Sequence, residues 1–87
     1  MNEDQRYCIT LFLDAVRHRG GKAKYGEIAK LSGLSHSEMQ RTKWMVIGQH
    51  WIEQDRPYMP YKLTEKGRLW LEEEDKRLSK MIEKEIQ

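Results

Sequence analysis

Apolar residues crowd the first stretch of the chain. Between Glu3 and His18 they are Tyr7, Cys8, Ile9, Leu11, Phe12, Leu13, Ala15 and Val16. At about 100° per residue they cover more than one face of a helix, which predicts a first helix from about Glu3 to His18. A helix that is apolar nearly all round is buried on both sides. In so small a chain the second side is expected to meet another subunit. Gly20-Gly21 ends the helix, because glycine takes the left-handed conformation at no steric cost.

Lys22-Ala23-Lys24 is long enough for a minimal strand. Tyr25 to Leu31 reads as a short helix with Ile28, Ala29 and Leu31 as its apolar positions, and Gly33 stops it. Ser35 opens the next helix, with Glu38 three residues later as in a reciprocal capping box. That helix runs to about Gln49 and sets Met39 and Val46, with Thr42 and His50, on one side. The two helices, joined through Ser32-Gly33-Leu34, have the spacing of a helix-turn-helix. Trp51-Ile52-Glu53-Gln54 and Tyr61-Lys62-Leu63 alternate like strands. The residues between them hold both prolines, Pro57 and Pro60, so a hairpin around a loop is expected. Thr64 caps a last helix reaching to Ile86, on the order of 33 Å long. Leu69, Trp70 and Leu71 anchor its start. Leu78, Met81, Ile82 and Ile86 make a sparser stripe, with Asp75 and Glu85 at some seam positions, too weak for a coiled coil.

With 87 residues the chain has room for one domain. Charged residues make up 34%, the hydrophobic set only 38%, and the mean hydropathy is −0.91. That describes a water-soluble domain with a thin core, for which a steadying partner subunit is expected. No apolar run is long enough to cross a membrane, and Met1-Asn2-Glu3-Asp4 lacks the basic start of a secretory signal. The single cysteine, Cys8, excludes an internal disulfide and fits a reducing cytoplasm. If Cys8 met its copy across a two-fold axis, an intersubunit disulfide could form; burial as a small hydrophobe is the simpler reading. Net charge is +2, but residues 17–43 carry seven basic and two acidic side chains, whereas residues 69–87 carry four basic and six acidic ones. A basic segment in a near-neutral chain points to an anionic partner met on one face; the plainer alternative is a solvated surface.

Two blocks carry a resemblance: Tyr25-Gly26-Glu27-Ile28-Ala29-Lys30-Leu31-Ser32-Gly33-Leu34-Ser35 and Tyr61-Lys62-Leu63-Thr64-Glu65-Lys66-Gly67-Arg68. In their order and separation, the chain from about residue 7 to residue 72 resembles the winged helix-turn-helix superfamily. It is similar to MarR-, PadR- and ArsR-like regulators and to the very small winged-helix proteins of archaea and their viruses. It departs from them at His50, where a glycine often stands between recognition helix and wing, and at Lys43, where leucine is common. The resemblance implies a mainly α fold with a small β-hairpin (α+β), in the order helix-strand-helix-helix-strand-strand-helix. It implies a single domain over residues 1–87 and dimerisation through helix one and the C-terminal helix, about 65–86.

The resemblance also implies double-stranded DNA as partner, with residues 35–49 in the major groove and the wing, 53–62, on the backbone or in the minor groove. With Met39 turned inward, Ser37, Gln40, Arg41, Trp44 and Gly48 face out. Arginine can pair bidentately with guanine and glutamine with adenine. His36 and Lys43 belong to the same expected contact set. Lys22, Lys24 and Tyr25, with Lys30 nearby, would meet phosphate together with the N–H groups of a helix N-terminus. Arg56, Tyr58 and Lys62 lie on the expected wing, while Tyr61 reads better as hairpin packing. Trp44 could touch DNA or pack against the wing or a second subunit, and packing is slightly favoured because tryptophan is usually buried.

Other chemistry finds little support. His18, His36, His50 and Cys8 show no metal-ligand spacing. Glu72-Glu73-Glu74-Asp75 reads as a solvated helix face. There is no phosphate-binding glycine loop and no nucleophile elbow, so neither an enzyme nor a cofactor, metal or small-molecule ligand is expected. The expected role is a cytoplasmic transcriptional regulator, in the nucleoid or in a host's cytoplasm if viral. The rival is a winged-helix protein-interaction module for a polymerase or replication assembly, with Trp44, Met45 and Ile47 as its binding patch.

Overall fold

Asn2 starts the first helix. Its side chain accepts from the Gln5 N–H at 2.8 Å while the Gln5 side chain accepts from the Asn2 N–H at 3.0 Å. The reciprocal box satisfies two backbone donors that a helix start leaves free. The computed structural model describes residues 1–86, with side chains to Glu83. This first helix, α1, spans Glu3–His18, followed by β1 (Lys22–Ala23), α2 (Tyr25–Ser32), α3 (His36–Gly48), β2 (Ile52–Glu53), β3 (Tyr61–Leu63) and α4 (Glu65–Ile86). The order is the one expected. Gly20 and Gly21 sit at φ 81° and 91°, so the double glycine ends α1 as anticipated.

The strands form one antiparallel sheet in the order β1-β3-β2. Lys22 stands opposite Lys62 and Ala23 opposite Tyr61, while on the other side of β3 Ile52 faces Leu63 and Glu53 faces Lys62. The β2–β3 hairpin thus gains a third strand from the segment before α2.

The core gathers on α1. Ile9, Phe12, Leu13 and Val16 are fully buried, together with Ile28, Met39, Val46 and Leu71 from the other three helices. α1 touches α2, α3, α4, β1 and β3. Its apolar faces thus meet several elements of the chain itself. Cys8 and Leu11 pack half-buried against this core. Tyr7 is the large α1 residue left in water.

α4 behaves differently along its length. Leu71 is buried and Trp70 stacks on Trp51 with ring centres 4.8 Å apart. From Leu78 to Glu83 every residue is exposed, including Leu78, Met81 and Ile82. The side chains of Glu85 and Ile86, placed in the same stripe from the sequence, lie outside the described residues. The acidic run is solvated at Glu72, Glu73 and Asp75, as expected, but not at Glu74. Glu74 is buried, bridged to Arg6 and to Arg77 at 3.2 Å, and Asp75 accepts from Arg17 at 3.0 Å. Charge pairing between α1 and α4 turns Glu74 inward. Among the described residues no helix is long and apolar enough to cross a membrane.

Candidate nucleic-acid interface

α3 is held on the body by Met39, Thr42 and Val46, all buried. Its start is the expected capping box: the Glu38 N–H donates to the Ser35 hydroxyl at 3.2 Å, and the Ser35 N–H to the Glu38 carboxylate at 2.9 Å. These Ser35 bonds hold the Glu38 carboxyl below the usual glutamate range. Off that buried stripe, His36, Ser37, Arg41, Trp44 and Gly48 are exposed. Gln40 and Lys43 stand half-buried on one flank. The Gln40 amide donates to the Tyr25 hydroxyl at 3.0 Å, so it is part of the α2–α3 contact as well as a surface group.

Trp44 is 66% exposed and does not pack against the body or the β2–β3 loop, contrary to the favoured reading within the protomer. The ammonium of Lys43 lies over its ring, 4.9 Å from the centre, and 5.9 Å from that of Tyr25. At these distances the cation is attracted by both ring faces. Met45 and Ile47 pack half-buried against the core, which leaves Trp44 as the exposed part of the three-residue patch.

The start of α2 is less open to phosphate than its helix end suggests. The Lys24 N–H is taken by the Glu27 carboxylate at 2.9 Å. Arg19 bridges the same carboxylate. The Lys24 hydrogen bond and the nearby cations hold the Glu27 carboxyl below the usual glutamate range. A phosphate at this helix start would compete with Glu27, so Lys22 and Lys24 offer side-chain ammonium groups rather than backbone donors. Both are exposed.

The β2–β3 loop turns through a hydrogen bond from the Met59 N–H to the Arg56 carbonyl (3.1 Å) and another from the Gln54 amide to the Met59 carbonyl (2.6 Å). Arg56 and Tyr58 are exposed at its tip. Lys62 is not a free cation. It sits in mid-sheet and bonds Asp55 at 2.7 Å, which raises the lysine and lowers the aspartate from their ordinary ranges. Tyr61 is buried edge-on to Phe12, as hairpin packing predicts.

His50 departs from its expected place on the buried side of α3. It is exposed, beyond the helix end, at φ 59°. That is the left-handed backbone for which glycine is the usual choice. Its carbonyl accepts from the Thr64 hydroxyl at 2.6 Å, which ties the turn to the start of α4.

The cations divide by position. On α1 and α4, Arg6, Arg17, Arg68, Lys76 and Arg77 are each bound to carboxylates. Among the described residues, Lys22, Lys24, Lys30, Arg41, Lys43 and Arg56 make no such bond, and on α4 neither do Lys66 and Lys80. Two grooves flank α3. One runs between α3 and the start of α1, past Arg41, Glu38, Cys8 and Tyr7. Cys8 lies 3.8 Å from Glu38, and burial together with that carboxylate pushes its thiol pKa up. It stays a protonated thiol at neutral pH and is a poor nucleophile. The other groove, about 500 Å3, lies between α2, α3 and the β2–β3 loop, and brings Lys24, Tyr25, Gln40, Lys43 and Tyr58 together. The residues expected to act as one set are thus split: Arg41 belongs to one flank, Gln40 and Lys43 to the other. Pro57 and Met59, which the sequence did not single out, also line this second groove. No local pattern marks them, because the loop reaches α2 only through the sheet.

Among the described residues no cluster of three metal-ligating side chains occurs. No protein-family model matches this chain, and no curated protein matches it.

Proposed function

We propose that the chain is a winged helix-turn-helix protein that binds double-stranded DNA in a sequence-dependent way as a homodimer, as a transcriptional regulator does. In this reading α3 enters the major groove and the β2–β3 loop lies on the backbone or in the minor groove. The observation that carries it is the segregation of charge. The cations on or beside α3 and the loop tip are unpaired, while most of those described on α1 and α4 are bound to carboxylates of the same two helices. Unpaired lysines and arginines on one face displace counterions from phosphates, which favours binding at low salt.

Arg41 then reads base edges and Lys24 and Lys43 hold phosphate. Titrations of a selected duplex at several salt concentrations test this. Arg41→Ala is expected to cost about tenfold in affinity for the selected site and to flatten discrimination against a mismatched one. Lys24→Ala and Lys43→Ala are each expected to lower the slope of log affinity against log salt by about 1. A slope near zero in the unmodified protein would end the DNA reading.

The dimer would pair through α1 and α4, and α4 offers the test. Leu78, Met81 and Ile82 recur at helical spacing on a stretch that the protomer leaves uncovered. Leu78→Glu with Ile82→Glu is expected to convert a dimer into a monomer in sedimentation equilibrium without lowering helix content. A monomeric unmodified protein would remove the two-fold arrangement.

The rival reading, a protein-interaction module, is favoured by exposed Trp44 alone. It predicts that Trp44→Ala abolishes capture of a protein partner while DNA binding is absent at any salt.

A further inference from the structure

The groove between α2, α3 and the β2–β3 loop contains more than a duplex backbone needs. Tyr25, Tyr58 and Met59 give it flat or polarisable apolar walls, and Lys24, Gln40 and Lys43 add two cations and an amide. One N–H of the Gln40 amide donates to the Tyr25 hydroxyl, which leaves the second free. The Gln40 carbonyl oxygen remains available to accept a hydrogen bond, and the Tyr25 hydroxyl, while accepting from Gln40, keeps its own proton to donate.

Tyr58 is the unusual member. Its backbone sits at φ 69°, where side-chain-bearing residues are uncommon. Its ring is fully exposed, so the protomer gains no packing from it. An aromatic ring held in water on a strained turn has its face free for a ligand. Within a duplex each paired base is stacked between its neighbours, and such a ring can reach only edges, sugars or phosphates there. An unpaired base offers its face. Stacking on an aromatic side chain, with lysines tracking the adjoining phosphates, is the general mode by which proteins hold single strands.

We propose that this groove receives an unpaired nucleobase stacked on Tyr58, so that the protein prefers DNA in which single strand adjoins duplex over the same duplex with blunt ends. The proposal rests on the DNA reading above, since the duplex portion is held by α3. Lys24 and Lys43 flank the base and meet the phosphates on either side of it.

The test compares three labelled DNAs by fluorescence anisotropy at one salt concentration: a blunt duplex, the same duplex with a single-stranded overhang, and the overhang strand alone. In a second readout, 2-aminopurine replaces the first unpaired base. The overhang duplex is expected to bind about tenfold tighter than the blunt one, in keeping with the stacking of a single base. The 2-aminopurine emission is expected to fall on binding. Tyr58→Ala should bring the affinity ratio to about one and restore the emission, whereas Tyr58→Phe should keep both effects. Because Tyr58 is wholly exposed, circular dichroism of the variants is expected to match the unmodified protein. Equal affinity for blunt and overhang duplexes overturns this proposal and leaves the DNA reading standing. So does an overhang preference that survives Tyr58→Ala. Failure to bind any of the three DNAs overturns both, and binding of a protein instead would assign the groove to a peptide.

Discussion

Gly67→Ala is expected to lower the thermal midpoint by roughly 15 °C, the outcome of an overpacking cost of about 3 kcal/mol in a domain of this size. A Cβ at Gly67 would stand 2.2 Å from the Trp51 carbonyl oxygen and 2.9 Å from a Leu63 methyl. The first neighbour is backbone and cannot swing aside. That carbonyl also accepts from the Thr64 N–H at 3.0 Å, and Trp51 carries the stack with Trp70. Moving it would disturb the capped start of α4, where the Gly67 N–H donates to the Thr64 hydroxyl at 3.0 Å, and the seating of α4 on the sheet. The ordinary gain of alanine over glycine in a helix, about 1 kcal/mol, is too small to offset this. Gly26→Ala is the control. No atom lies within 4 Å of a Cβ there, so a neutral or slightly higher midpoint is expected. Thermal denaturation followed at far-ultraviolet wavelengths measures both. Near-ultraviolet dichroism should show the tryptophan pair disturbed in Gly67→Ala alone. A midpoint unchanged by Gly67→Ala would mean that α4 does not sit against Trp51 in this way.

Glu74→Ala is expected to cost about 2 kcal/mol, at the lower end for a broken buried ion pair because Arg6 and Arg77 keep contact with water. Glu74 is 3% exposed and accepts from both arginines. Removing it leaves the Arg6 guanidinium, whose Nε already has no partner, half-buried and unpaired. Replacing both members, Arg6→Met with Glu74→Leu, is expected to recover most of the loss, since an apolar pair of similar volume is often as stable as a buried ion pair. Failure of that recovery would show that the arginines act elsewhere.

The same carboxylate predicts a pH dependence. Burial alone would push the Glu74 carboxyl up, but the hydrogen bonds and charges of Arg6 and Arg77 outweigh it, so the net shift is downward. A folded-state pKa below the unfolded one means stability that is fully present above the unfolded value, about 4.3, and lost as pH falls through the folded value. Urea unfolding at a series of pH values should therefore show stability declining in the acid range. Glu74→Gln should make that decline shallower without abolishing it, because Glu27, Glu38, Asp55 and Glu65 are shifted in the same direction.

Much of this molecule can be read from short stretches of chain. Ser35 and Glu38 announce the start of α3, and Gly20-Gly21 the end of α1, because caps and left-handed turns are settled within about four residues. The inward set Met39, Thr42 and Val46 follows from helical spacing, and with it the outward set Ser37, Arg41 and Trp44. His50 shows the limit of that reasoning. Continued helical spacing puts it on the buried side, yet the helix has ended and the backbone has turned left-handed. Trp44 shows another limit: average burial for its residue type says little about a ridge that no element of the protomer covers.

The order of elements, their ends and the face α3 turns outward were thus accessible in the residues alone, since each depends on neighbours one helical turn away. The fate of the apolar excess on α1, the burial of Glu74 by Arg6 from 68 positions away, and the groove that joins Tyr58 to Tyr25 and Lys43 were not. Those features arise where distant segments meet. Burial, ion pairing and shape belong to the neighbours a side chain acquires on folding, and hydropathy along a single segment carries no record of them.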